Sequence, residues 1–170
     1  MSNLFNRQQD EFFDFFDLII ADPAQQIASF KLRHYIYCEE LKWEQLRSNG
    51  LETDAFDKHA THILIRHRRS GKYAGTVRLV AANHANKLPH AKYFKGKIDS
   101  SFRKAHYDTE ATSCETSRLA VSPFFRRSRH DTEQTQSFEY FNPDTTFSDS
   151  ELHNFSKITI ALYMACWVLS

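Results

Sequence analysis

Glycine and proline are scarce in this 170-residue chain, with four of each, which argues against a long disordered segment. Cysteine occurs three times, at Cys38, Cys114 and Cys166. The number is odd and no CxxC is present, so no disulfide framework is suggested, and the thiols read as reduced, mostly buried groups of a cytoplasmic protein. An excess of one charge is missing too. Lys+Arg total 22 against 21 Asp+Glu, a formal net charge of +1, so no global basic field recruits nucleic acid. The longest apolar run, near Ile158 to Leu169, is too short and mixed to span a bilayer, and integral membrane insertion is not expected. The N-terminal MSNLFNRQQDEFFDFF is acidic and interrupted, unlike a signal peptide. Nine histidines, His59, His62 and His67 among them, show no recognised ligand spacing such as HExxH, so no metal site is expected.

What is present fits a globular domain. Apolar residues make up 41% of the chain and charged residues 25%, near the soluble average, and the length allows one domain with a real core. Phenylalanine is abundant, at fifteen. The spacing of Phe5, Phe12, Phe16 and Ile19 or Ile20 predicts an amphipathic helix over about residues 4–21. Asp22-Pro23 breaks it and caps a second helix, with Pro23 in its first turn. That helix offers one face made of Ile27, Phe30, His34, Cys38 and Leu41. Thr61–Arg68 and Tyr73–Ala82 read as strands joined at Ser70-Gly71, and hence as an antiparallel pair. Residues 83–112 read as loop with a short helix near Ser101–His106. Ser113–Val121 is a third strand, stopped by Pro123. Residues 126–153 read as a long flexible insert, and Phe155–Leu169 as a buried helix. The expected architecture is a single α+β domain with a mixed sheet flanked by helices.

Chemistry concentrates in four stretches: RHYIYCEELKWE, LETDAFD, GTVRLV and ETSRLAV. They bring forward Arg33, Trp43, Glu52, Asp54, Asp57, Arg78, Glu115 and Arg118. Arg78 sits between apolar neighbours in an apolar strand. Glu115 and Arg118 are three residues apart, so strict alternation puts them on opposite faces of their strand; a bulge, or a site reached from the strand edge, would reconcile them.

Taken in order, R-x3-Y-x5-W, L-E-x-D-x-F-D, G-x-V-R-L and E-x-S-R-L-A-V resemble the acyl-homoserine-lactone (autoinducer) synthases. More closely, YCEEL, ETDAFDKHATHILIRHRRSGKYAGTVRLV and SRLAVSPFFRR resemble the exosortase/PEP-CTERM-associated acyltransferases and N-acyl amino acid synthases. The likeness runs over about residues 30–127. It implies the GCN5-type acetyltransferase (GNAT) fold. It also implies transfer of a fatty acyl chain from an acyl carrier protein or CoA thioester to the amine of an amino acid or related small molecule. On this resemblance Glu115, Arg118 and Arg78 are catalytic, and Arg33, Tyr37, Trp43, Glu52, Asp54 and Asp57 bind substrate.

The reaction needs such groups. An amine attacks a thioester only when neutral, and an α-amino group titrates near ~8, so a base is required at neutral pH. Glu115 is the candidate, acting directly or through water; a structural ion pair with Arg118 is the competing reading. Backbone N–H groups of Leu119, Ala120 and Val121 can polarise the thioester carbonyl. Two departures stand out. Where acetyltransferases carry a glycine-rich phosphate loop, this chain has SPFFRRSR, so Arg126 and Arg127 are left as candidates for the phosphopantetheine phosphate or an acidic carrier protein. The chain also ends directly after a helix, which leaves the expected sheet without its C-terminal strands. No tightly bound cofactor is expected; acyl carrier protein or acyl-CoA enters as co-substrate. Two alternatives stay open: an autoinducer synthase, and an inactive binding or interaction module with the same fold.

Overall fold

Four antiparallel strands, in the order β1-β2-β3-β4, form the sheet on which everything else is mounted: β1 Phe16–Ile20, β2 Ala60–His67, β3 Tyr73–Ala81 and β4 Cys114–Val121. The computed structural model describes residues 11–82, 88–90, 97, 99, 101, 113–126 and 147–170. Helix α1 (Pro23–His34) covers one sheet face; helices α2 (Asp149–Phe155) and α3 (Ile158–Leu169) pack on the other. The fold is α+β, as expected from the sequence.

Alternation along the strands assigns the two faces. Ile63, Ile65, Val77 and Leu79 join Phe16, Phe125, Phe155, Ile158 and Leu162 in the apolar core. Gly75 lies where α3 crosses: a Cβ there would stand 3.0 Å from Leu162 Cδ1 and 3.1 Å from Ile158 Cγ2. The opposite face carries His62, Leu64, Thr76 and Arg78, which pair across the strands as His62 with Arg78 and Leu64 with Thr76. Ser29 of α1 meets Thr76 hydroxyl to hydroxyl at 2.6 Å, and Thr76 also donates to the Ile63 carbonyl at 3.1 Å, so α1 is seated on this face by polar contacts.

Helix α1 starts where its chemistry dictates. The Asp22 carboxylate accepts from the Gln25 N–H at 2.8 Å, the Gln25 side chain accepts from the Asp22 N–H at 3.1 Å, and Pro23 occupies the first turn. Its buried face matches the expected one in part: His34 and Cys38 are buried, but so are Ser29, Arg33 and Ile36, whereas Ile27 and Leu41 are exposed. After His34 the helix widens to π-type winding over Tyr35–Glu40, which rotates the side chains that follow, Leu41 among them.

Three further expectations are corrected. The helix expected over residues 4–21 holds only at 11–15 among the described residues; Phe16–Ile20 is a strand. Phe12 and Phe16 do stack at 4.8 Å, one helical turn apart, but Leu18 and Ile20 alternate against Ile65 and Ile63, and this pairing overrides the helical spacing. The insert expected over 126–153 contains helix α2, nucleated by a capping box in which Ser148 and Glu151 bond each other's backbone N–H at 3.2 and 2.7 Å; residues 127–146 lie outside the described set. Helix α3 is buried on one side only, since Ile160, Tyr163, Met164, Trp167 and Val168 are exposed. The short helix expected near Ser101–His106 lies outside the described residues except at Ser101.

Candidate active site

Three guanidinium groups and four carboxylates close into a ring over the α1 side of the sheet. Arg33 comes from the last turn of α1 and is fully buried. Its Nε donates to Glu52 Oε2 at 2.6 Å, and its two terminal nitrogens grip Asp57 at 2.7 and 3.2 Å. Asp57 passes the ring to Arg78, whose Nη1 reaches Asp57 at 2.9 Å and Asp54 at 2.6 Å. Arg118 completes it, with Nη2 at 3.0 Å from Glu44, 3.2 Å from Glu52 and 3.6 Å from Asp54. The loop that supplies the acids is organised by those same acids: the Asp54 N–H donates to Asp57 Oδ2 at 2.7 Å and the Phe56 N–H to Asp54 Oδ1 at 2.8 Å.

The electrostatics follow from burial and pairing. Burial alone would raise the Asp57 pKa, but the bonds from Arg33, the Asp54 N–H and Arg78 outweigh it and hold the carboxyl at about 2. Burial opposes the charge on Arg78, yet Asp54 and Asp57 raise its pKa all the same. His62, beneath the ring and edge-on to Phe30, is held below its ordinary value mainly by burial.

Beside the ring runs an apolar cleft of about 760 Å³. One wall is the widened helical segment with Tyr37 and Trp43, the other is α2 with Leu152 and Phe155, and Leu119, Ala120 and Val121 of β4 form the floor. Tyr37 and Trp43 stack at 6.2 Å, and the Tyr37 hydroxyl donates to the Leu119 carbonyl at 2.5 Å, which ties the wall to the floor. Burial raises the Tyr37 pKa, so the hydroxyl stays a donor.

The floor is irregular at one point. Arg78 pairs with Ser117 and Thr76 with Ala120, so Val77 alone faces both Arg118 and Leu119. Arg118 takes φ 54°, a left-handed backbone that non-glycine residues rarely adopt. This β-bulge turns the Arg118 side chain into the ring and shifts the Leu119–Val121 backbone against the cleft. It also answers the spacing problem of Glu115 and Arg118. The two do not pair: Arg118 belongs to the ring, while Glu115 Oε2 accepts from the His90 backbone N–H at 2.8 Å and lies 2.7 Å from His90 Nδ1.

Of the residues singled out in the sequence, Arg33, Glu52, Asp54, Asp57, Arg78 and Arg118 meet in the ring, and Tyr37, Trp43, Leu119, Ala120, Val121 and Arg126 line the cleft. Glu115 does neither. It sits toward the start of β4 opposite Val80, four residues before the cleft floor. Arg126 is engaged with Glu40 at 2.5 Å, and Arg127 lies outside the described residues. The sequence reading missed Glu44, His90 and Ser117, which accepts from Arg78 Nε at 3.1 Å, and also the α2 wall. Only α2 carried a readable signal, the Ser148-x-x-Glu151 capping box. Among the described residues, no cluster of three His, Cys, Asp or Glu side chains could hold a metal ion, and no helix is long and apolar enough to cross a membrane.

β4, the edge strand of this sheet among the described residues, thus bulges beside the cleft. Residues 32–134 match the acetyltransferase (GNAT) domain, and the chain belongs to that family. Two solved structures are similar. One is TofI, crystallised in a ternary complex with an inhibitor and MTA, at 22% identity and a TM-score of 0.46, covering 63% of this chain and 56% of that one. The other is the AHL synthase LasI, at 17% identity and 0.44, covering 90% and 66%. The chain thus spans between about half and two thirds of the length of each. No curated protein matches it.

Proposed function

We propose that the chain is an N-acyltransferase that moves a fatty acyl group from an acyl carrier protein or acyl-CoA thioester to the amine of an amino acid or related small molecule. The observation that carries this reading is the apolar cleft whose floor is the bulged backbone of β4, set directly beside a closed ring of ions. The acyl chain lies between Tyr37 and Trp43 on one side and Leu152 and Phe155 on the other. The thioester carbonyl meets outward N–H groups within Leu119–Val121, which stabilise the oxyanion as it forms. The acid-rich ring, with its four carboxylates to three guanidiniums, orients a cationic acceptor amine. Glu115 takes the amine proton. Four residues of strand, roughly 13 Å, separate it from Leu119, so the proton passes through water. The C–N bond forms and the C–S bond breaks; of the two protons an ammonium sheds on becoming an amide N–H, one reaches solvent by way of Glu115 and the other leaves with the thiolate as thiol. Arg126 meets the carrier's phosphate or an acidic carrier surface once it parts from Glu40. Within the family, the motif resemblance favours the exosortase/PEP-CTERM-associated and N-acyl amino acid synthase branch, and a cytoplasmic protein.

The test is incubation of the purified protein with acyl carrier protein and CoA thioesters of several chain lengths and pooled amino acids, read by mass spectrometry. Acyl-amides are expected. Acyl-homoserine lactone as the product would make it an autoinducer synthase instead. No product with any donor would leave a binding module and end the proposal.

A further inference from the structure

His90 belongs neither to the ring nor to the cleft walls, yet it holds Glu115 twice. Its backbone N–H and its Nδ1 both reach the same oxygen, Oε2, at 2.8 and 2.7 Å. An ionised carboxylate oxygen only accepts, so Nδ1 carries a hydrogen and donates it, which selects the Nδ1–H tautomer over the Nε2–H one. The preceding Leu88 and Pro89 are buried and seat the residue against the sheet. The two side chains are themselves largely shielded, at 18% and 22% exposure. Glu115 shares its sheet face with Ser117, the residue bonded to Arg78, so the pair borders the ring rather than the bulk surface.

We propose that His90 is the positioning residue of the proton-accepting carboxylate, an inference that rests on the N-acyl-transfer reading. Two donors on Oε2 lock the Glu115 rotamer and leave Oε1 as the oxygen that receives the amine proton through water. Glu115 returns that proton to solvent, and the second proton shed by the attacking nitrogen goes to the departing thiolate. His90 keeps its own hydrogens throughout, and nothing is oxidised or reduced. The double hold does for Glu115 what second contacts do for catalytic groups generally: it removes the freedom to point elsewhere, where a misplacement of about 1 Å costs on the order of 100-fold.

The experiment compares wild type, H90A, H90N, E115Q and H90A/E115Q with an acyl carrier protein thioester and the best amine acceptor, together with ¹⁵N NMR of the His90 ring. H90A is expected to lower kcat on the order of 10-fold to 100-fold with KM for the acyl donor unchanged. H90N, whose amide N–H can reach the same oxygen, is expected to recover most of that loss. E115Q is expected to lose on the order of 10²–10⁴-fold, with little further loss in the double variant. NMR is expected to show the Nδ1–H tautomer in wild type and to lose it in one further variant, E115A, which removes the acceptor. Wild-type kcat in H90A, losses that multiply in the double variant, or an Nε2–H tautomer would each overturn the proposal. If the ring shows the Nδ1–H tautomer but wild type forms no acyl-amide, the functional reading has failed, and the positioning role falls with it although the hydrogen bonds stand.

Discussion

Replacing Arg33 with methionine keeps most of the side-chain volume and removes the charge at the hub of the ring. The consequence can be worked from the contacts. Glu52 is fully buried and loses its bond from Nε, keeping only Arg118 at 3.2 Å; Asp57 loses two bonds and keeps Arg78 at 2.9 Å. Four carboxylates then face two guanidiniums. Breaking a buried ion pair from one side costs about 3–5 kcal/mol, because the partner's charge stays buried without compensation. For a chain of this size that amounts to a fall in Tm of roughly 6–20 °C. Urea unfolding followed by circular dichroism and tryptophan fluorescence measures it. Adding Glu52→Gln removes the stranded charge, so R33M/E52Q is expected to be more stable than R33M by at least about 1 kcal/mol. A loss below about 1 kcal/mol in R33M, or a double variant no better than the single, would refute the idea that the ring is held by compensated burial.

The remaining expectations concern acid, the bulge and the α3 crossing. His62 and His67, both held below their ordinary 6.5 mainly by burial, favour the native state above that value, and their contribution is lost as pH falls below it. Asp57 and Glu151, each at about 2 against ordinary values of 3.8 and 4.5, contribute stability that is present above those ordinary values and is lost as pH falls toward 2. Urea midpoints should therefore begin to fall below pH 6.5 and fall steeply below 4.5; a flat profile from pH 7 to 3 would contradict both assignments. At the bulge, Arg118→Gly relieves the left-handed backbone whereas Arg118→Ala keeps it, and both lose the ion pairs, so the glycine variant should be the more stable of the two by about 1 kcal/mol in the same assay. Gly75→Ala sets a methyl against Leu162, Ile158 and, at 3.3 Å, the Ala120 carbonyl, and a loss of about 1–3 kcal/mol is expected; an unchanged midpoint would show that α3 shifts freely.

Much of this arrangement is legible in the amino-acid sequence itself. Strands β2, β3 and β4 announce themselves by β-branched composition and by Ser70-Gly71 and Pro123 at their ends, and α1 by Asp22-Pro23. The ring was legible as residue types: an arginine inside the apolar GTVRLV strand needs acids near it, and LETDAFD supplies them. What was hidden depends on distant partners. Phe12 and Phe16 satisfy helical spacing, so nothing local reveals that β2 recruits residues 16–20 as a strand. The bulge at Arg118 is set by pairing with β3 and leaves no composition mark. His90 meets Glu115 across 25 positions, through a stretch with no periodicity of its own. The apolar outer side of α3 misled for the opposite reason: an all-round apolar helix reads as buried, and Trp167 and Val168 are exposed all the same.

The most direct test is a crystal structure with a hydrolysis-resistant acyl-pantetheine analogue in which a ketone replaces the thioester. The expected result has the alkyl chain between Trp43 and Phe155 and the ketone oxygen within hydrogen-bond reach of a backbone N–H in Leu119–Val121. An analogue bound elsewhere, with the cleft unchanged and the β4 backbone untouched, would contradict acyl transfer at this strand.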